Sequence, residues 1–554
     1  MAGGKSRPMA KKLKKWRRRV VIAAVILAAL LAYTYWPGQV ELIISPATTY
    51  ITAPLNADGT PNYVAYLDAN YAEGVTPDNN AAPLLLRVLG PDQLGWDCPQ
   101  QEKDEILARL NMPADALDSG PYLVSWENHE QQAEALAKGV DPKQYMEERS
   151  YNGPEFDKVH QDLLAGKVHP HLKAWLACNA EPLKLIQEAA DKQKLYVPMV
   201  SYRDMPDPHG GLRRAWITHL FYAVDALSAR AVLRMSGNDP RGAWEDILTG
   251  HRLARLRGQS PHLSDKLGAM EMDKGCAITG IWLATNGHTS APEMRQVLAS
   301  LSSLQPVGDT IKAFDHADRF RTLHWAIEVY QAKDTFRTDM PNASELDWNR
   351  MLRDINQHYD NKAKLFQKFR RRVGKWSIRE FLIESGEDLR SLASSRVRPP
   401  MWLCNHGGRL LRPSRTDWVT VGLMQLSDHA NPYYFDHEDQ ANMSRDIETL
   451  AVALACYHDE TDRWPASLKE LSPSLLKAIP IDRFNGKPLI YKPRQDGYLL
   501  YSVGKNRDDD NGVHASNKPR FDDIIAEVKL SRAGSQPAQT MPPEASSRQT
   551  TSQP

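Results

Sequence analysis

Three stretches gather side chains that ligate cations or move protons. His169 and His171 flank Pro170, and His429 and His437 lie near Asp428, Asp436 and Glu438. Imidazoles suit borderline metals, but two in a loop are a weak signal, and a solvated turn is the plainer reading. The third stretch is Asn506-Arg507-Asp508-Asp509-Asp510-Asn511-Gly512, followed by Asp522 and Asp523. Carboxylates packed this closely repel one another unless a cation or solvent relieves them, and Lys505 and Arg507 offset part of the charge. The sequence holds no GxGxxG, P-loop, HExxH or GxSxG motif, and no paired carboxylates have a context that marks an acid–base pair. No catalytic or cofactor-binding residue is therefore assigned, and the expectation leans away from an enzyme.

The elements that would position these residues begin with charge. Nine Lys and Arg precede residue 20 with no Asp or Glu, so the remainder carries 60 basic and 68 acidic residues, a net of −8. That mildly acidic body argues against a nucleic-acid surface. Val20 to Trp36 has no charge and no proline. Seventeen helical residues extend about 26 Å, near the ~30 Å of a bilayer core. With Tyr33, Tyr35 and Trp36 at its far end, the segment reads as a single transmembrane helix. The basic flank 1–19 would stay in the cytoplasm and the C-terminal body would lie in the periplasm, on the outer face of a bacterial inner membrane. A cleaved signal peptide is disfavoured, because no A-x-A site follows. The five cysteines are far apart and form no CxxC pair; Cys276 and Cys456, among small and apolar residues, read as buried thiols.

Beyond the segment 20–36, residues 37–200 read as mixed and mostly helical. Thr76-Pro77 is expected to open a helix that runs to Gly90, with later helices near Gln131–Ala137 and Leu172–Lys194. Residues 201–310 give the clearest periodicity. A helix from Arg213 to Ser236 breaks at Gly237-Asn238, and Asp239 with Pro240 starts the next one. That helix places Trp244, Ile247, Leu248 and His251 on one face, where His251 reads as a satisfied core residue. Ser264 starts a third helix ending near Asn286-Gly287, and Ser290 with Glu293 forms a capping box for a fourth. The hairpins loosely resemble tetratricopeptide-type repeats through Gly237 and Ala243, without a second copy at fixed period. Residues 311–435 continue as charged helices, including Ala313–Lys333 and Trp348–Gly374, with Lys368, Arg370, Arg371, Arg372 and Lys375 on a solvated face. Residues 531–554 lack the apolar content to offset ordering entropy and are expected to be a disordered tail.

In 436–530 the pattern changes. Ile447, Leu450, Ala451, Leu454 and His458 mark an amphipathic helix, and a short helix passes through Leu468 and Leu471. Strands are expected at Pro488–Lys492, Tyr498–Val503 and Ile524–Val528, the first two joined by the turn Gln495-Asp496-Gly497. The order of Tyr457 to Pro465, Asp482 to Pro488, Tyr498-Leu499-Leu500-Tyr501-Ser502-Val503-Gly504 and Asp523-Ile524 resembles the globular domain of type II secretion major pseudopilins. The resemblance covers about 85 of the 554 residues. It implies a small α+β domain with an antiparallel sheet and calcium in the acidic loop, with Asp508, Asp509, Asp510, Asp522 and Asp523 as ligands. Calcium takes six to eight oxygens, which carboxylates and loop carbonyls would supply. Unlike a pseudopilin, the chain has no Gly-Phe-Thr-Leu-Ile-Glu type start beside this domain. The layout also resembles membrane-anchored envelope proteins of planctomycete bacteria.

The fold class expected is thus mainly α, with a single N-terminal transmembrane helix, a helical exported body and a small pilin-like α+β domain. The function expected is a non-enzymatic, membrane-anchored interaction scaffold with protein partners in the envelope and no nucleic acid. The alternatives are a secretion-system component and an exported hydrolase whose site is assembled from residues distant in sequence.

Overall fold

The computed structural model describes residues 7–35, 41–94, 98–148, 153, 155–200, 219–331, 346–370, 416, 420, 433–495, 497–513 and 524–529. Its first element, α1 (Arg7–Tyr35), corrects the transmembrane expectation: no helix among the described residues is long and apolar enough to cross a membrane. The physical reason lies in α1 itself. Its N-terminal half is dense in Lys and Arg, and its uncharged part, from Val20 to Tyr35, extends only about 24 Å at 1.5 Å per residue. That falls short of the ~30 Å core and includes polar Tyr33, Thr34 and Tyr35. The inner-membrane location, the periplasmic placement of the body and the anchored topology rested on this segment, and they are withdrawn with it.

The following elements are α2 (Tyr63–Tyr71), α3 (Ala82–Leu89), α4 (Gln100–Arg109), α5 (Trp126–Ala137), α6 (Pro142–Glu148), α7 (Phe156–Leu164), α8 (Leu172–Cys178) and α9 (Ala180–Ala190). Helix α3 starts later than Thr76-Pro77 suggested. Asn79 folds back onto Thr76, accepting from its N–H at 2.8 Å, and the Asn80 amide pairs with the Tyr196 backbone in both directions at 2.9 Å. These contacts hold 77–79 in a turn and Asn80 in a bridge, so the helix begins only at Ala82. The helix expected over Leu172–Lys194 is broken between α8 and α9 at Asn179, whose side chain is spent on Val124.

The hairpin region forms α10 (Leu220–Ser236), α11 (Pro240–Arg257), α12 (Leu263–Asn286) and α13 (Ala291–Ser303). Asp239 caps α11 by accepting from Gly242 N–H at 2.9 Å, ahead of Pro240. Ser290 and Glu293 form the capping box of α13. Next come α14 (Thr310–Ala313), a π turn over Phe314–Asp318, α15 (Arg319–Gln331) and α16 (Trp348–Arg370). The π turn divides what periodicity read as one helix from Ala313.

Helix α17 (Tyr433–Thr461) precedes a 3₁₀ turn at Leu468–Leu471 and strands β1 (Ile490–Arg494), β2 (Gly497–Ser502) and β3 (Ile524–Lys529). The sheet is antiparallel in the order β1-β2-β3, with Tyr491 opposite Leu500 and Leu500 opposite Ala526. The described residues are mainly helical, 62% of them, with this one small sheet.

Helix α17 does not sit in a core of its own. It packs on α12 and α13 as well as on β2 and β3. One continuous apolar cluster runs from Ala81 through Leu301 and on through Met443 to Val528. Ala451 to Cys456 are all buried, as a helix sandwiched between helices and a sheet requires. A second cluster joins α2, α15 and α16 around Tyr63, Phe320 and Tyr359.

Candidate functional site

The hairpins bring two features together: a cleft of about 1010 Å³ and, behind its wall, a sealed group of charges. Both arise from α11. His251 and Arg255, one turn apart, share a face of this helix. His251 points into the junction with α12 and α17, while Arg255 reaches from that junction to the cleft wall.

At the junction His251, Asp273 and Glu448 are fully buried. The charged imidazole donates from Nδ1 to Asp273 Oδ1 at 2.5 Å and from Nε2 to Glu448 Oε2 at 3.1 Å. Arg255 closes the group, donating from Nη1 to Asp273 Oδ1 and from Nη2 to Oδ2 at 3.2 Å. Arg255 and the imidazole thus face the two carboxylates, and Arg445, itself largely buried, adds a further cation near Asp273. Burial alone would depress the His251 pKa, but Glu448 and Asp273 outweigh it and hold it up at about 9. Burial likewise opposes the Asp273 charge, yet Arg255 and His251 keep this carboxyl well below the usual range. Room for the group comes from glycine: a methyl at Gly280 would collide with the Glu448 carboxylate, and one at Gly250 with Cys276 Sγ.

The arrangement superficially suits acid–base chemistry, since an imidazole sits between two carboxylates. Cys276 lies within electrostatic reach of it, and its thiol is pushed well up by burial and by Asp273 and Glu448. A thiol so placed stays protonated and inert. With its imidazole and carboxylates all out of solvent contact, the group holds helices together and offers no substrate a place to bind. His251 is thus the satisfied core residue its helical stripe suggested.

The cleft lies between α2, the segment after α9, α11 and the loop before α14. Its lining sets Lys192, Lys194, Arg252, Arg255, Lys266 and Lys312 against Glu73, Asp191 and Asp309, with the His316 imidazole beside them. Several of these cations are already fixed. Lys192 donates to Asp78 O at 2.9 Å, Lys194 to Glu73 O at 3.1 Å, and Arg252 pairs with Glu245 at 2.7 Å. Lys266 is buried and bonded to Gly258 O; burial depresses its pKa to about 8. Lys312 is exposed at the rim.

Among its described residues the acidic loop brings no three ligand atoms within 4.8 Å of one another. Asp509 Oδ1 accepts from Tyr501 OH at 2.8 Å and Asp510 Oδ2 from Asn506 Nδ2 at 2.9 Å, while Asp508 is exposed. Asp522 and Asp523 lie outside the described residues. Three neighbours near the start of α17 also diverge: His437 bonds Glu271 at 2.8 Å, Glu438 pairs with Arg370, and Asp436 pairs with Lys505 at 3.4 Å. His429 and Asp428 lie outside the described residues, as do Arg371, Arg372 and Lys375. Among the described residues, the group of three metal-competent side chains whose ligand atoms lie within 4.8 Å of one another is Glu130, His169 and His171. Cys276 and Cys456 are buried free thiols.

Sequence reasoning missed the buried network because Asp273 and Glu448 are remote from His251 along the chain. A signal was present: Glu448 follows Ser444 and precedes Ala451 and Ala455 on one helical face, so a carboxylate stood on a stripe of small residues and called for a buried cation. The chain matches no family model, no curated protein and no solved structure.

Proposed function

We propose that this protein is a non-enzymatic interaction scaffold. In this reading the helical cleft receives an acidic segment of a partner protein, and the module 436–530, which resembles the pseudopilin globular domain, is a second docking element. The observation that carries it is the division of labour around α11. The His251–Asp273–Glu448 group is sealed from solvent, whereas the open cleft sets six Lys and Arg side chains against three carboxylates and the His316 imidazole. The excess of cations over carboxylates lets such a surface attract an acidic segment.

Crosslinking of the full chain in its native lysate, read by mass spectrometry, tests the proposal. Crosslinks should join Lys192, Lys194 or Lys312 to acidic stretches of one or a few partners. The pair Lys312→Glu and Arg252→Glu should cut their yield at least severalfold and leave the melting temperature within about 2 °C of the parent, since surface changes of this kind cost little. Undiminished crosslinks in the charge-reversed pair would place the partner elsewhere and remove the cleft from the function.

A further inference from the structure

Helix α5 and the loop before α8 assemble a second cluster, independent of the cleft. Helix α5 is capped by Ser125, which accepts from Asn128 N–H at 3.2 Å, and it carries Trp126, His129 and Glu130 on its first turns. The loop supplies His169 and His171. It is held against α5 from below: Trp175 Nε1 donates to Val124 O at 2.8 Å, and the Asn179 side chain donates to Val124 O at 2.9 Å while accepting from Val124 N–H at 2.8 Å. Trp126, 1% exposed, meets the His169 ring edge-on at 4.9 Å and thereby fixes its position.

We propose that Glu130, His169 and His171, with His129 beside them, bind a divalent transition metal of the zinc class. The ligand atoms of the first three lie within 4.8 Å of one another. Zinc–nitrogen and zinc–oxygen bonds of about 2.0–2.2 Å place tetrahedral ligand atoms roughly 3.4 Å apart. Rotation of the half-exposed His171 ring, now bonded to Glu130 at 2.7 Å, closes the difference. His129 adds an independent observation. Its Nδ1 is buried without a hydrogen-bond partner, 3.8 Å from Glu130 Oε1. Buried polar atoms in folded proteins are nearly always satisfied, and a cation at Glu130 gives this nitrogen something to bind. Imidazole nitrogens with one carboxylate suit zinc, cobalt, nickel or copper, whereas calcium and magnesium prefer all-oxygen shells. The exposed side of His171 leaves a coordination position open to water.

The test is titration of Co²⁺ into the EDTA-treated full chain. One equivalent should produce the visible ligand-field bands of four- or five-coordinate cobalt, removed by Zn²⁺ and untouched by Ca²⁺. His171→Ala and Glu130→Gln should each weaken binding by at least about tenfold, the scale on which even outer-shell partners act. The double change His169→Ala with His171→Ala should abolish the bands. X-ray absorption of the cobalt-loaded parent, which needs no variant to fold, should show a nitrogen and oxygen shell with imidazole scattering. Absence of bands in the parent, their survival in the double variant, or a shell without imidazole would each overturn the assignment.

Discussion

His251 illustrates how a single residue couples this fold to pH. Its pKa, held at about 9 by Glu448 and Asp273 on either side, exceeds the ordinary value of 6.5. The charged imidazole therefore contributes stability that is complete below about pH 6.5 and is lost as pH rises through 9. His251→Gln removes that contribution and leaves Glu448 buried without its cation. We expect a cost of about 3–5 kcal/mol near pH 6, the range for breaking a buried pair. Urea melts of parent and variant from pH 6 to 10 should show the gap narrowing towards the alkaline end. A gap independent of pH would mean that the imidazole is neutral throughout. The residue's burial was legible from its place on an apolar stripe; its charge was not. The latter depends on two carboxylates 22 and 197 positions away in the chain.

Elements were legible where their signals are local. Asp239-Pro240 and the Ser290–Glu293 box start helices where expected because a cap needs only its own first turn. The first two strands came through for the same reason, since short apolar and aromatic runs on either side of the Gly497 turn specify a hairpin within a dozen residues. Local reading failed at α3, where a partner 116 positions away recruits Asn80, and at the π turn that interrupts the helical run after Ala313. It failed also at α1, where freedom from charge stood in for length and apolarity. Packing between elements can be tested at Gly280. On an isolated helix, Gly to Ala stabilises by about 1 kcal/mol. In α12 the new methyl would collide with the Glu448 carboxylate and displace it from His251. Overpacking of this kind costs typically 1–3 kcal/mol, and disturbing a buried charge adds to that. Gly280→Ala should therefore lower the denaturation midpoint despite its better helix propensity. A raised midpoint would show that α12 and α17 are less closely apposed.

At the scale of the whole molecule, changes in periodicity suggested a boundary near 436, with 436–530 as a separate module on the hairpins. Sequence patterns report where local structure changes, and they carry no information on which apolar faces meet. In the structure those faces meet across the boundary: the cluster that holds Leu227, Ile247 and Met272 also holds Ile447, Leu450, Tyr498 and Val528. Helix α17 is the shared layer, buried by α12 and α13 on one side and by the sheet on the other. A layer with two clients links their stabilities, because neither can open without exposing α17. Leu450, fully buried in that layer, is the place to test this. Leu450→Ala should cost about 2–5 kcal/mol, the range for a truncated core leucine. Hydrogen exchange under mild denaturant, read by mass spectrometry, should show amides of 220–303 and 490–502 losing protection by the same amount. Independent modules would respond differently, with the sheet opening at low denaturant while the hairpins kept the parent's protection. That outcome would return 436–530 to the status of an appended domain and make the buried His251–Glu448 contact a docking interaction between two separately folded parts.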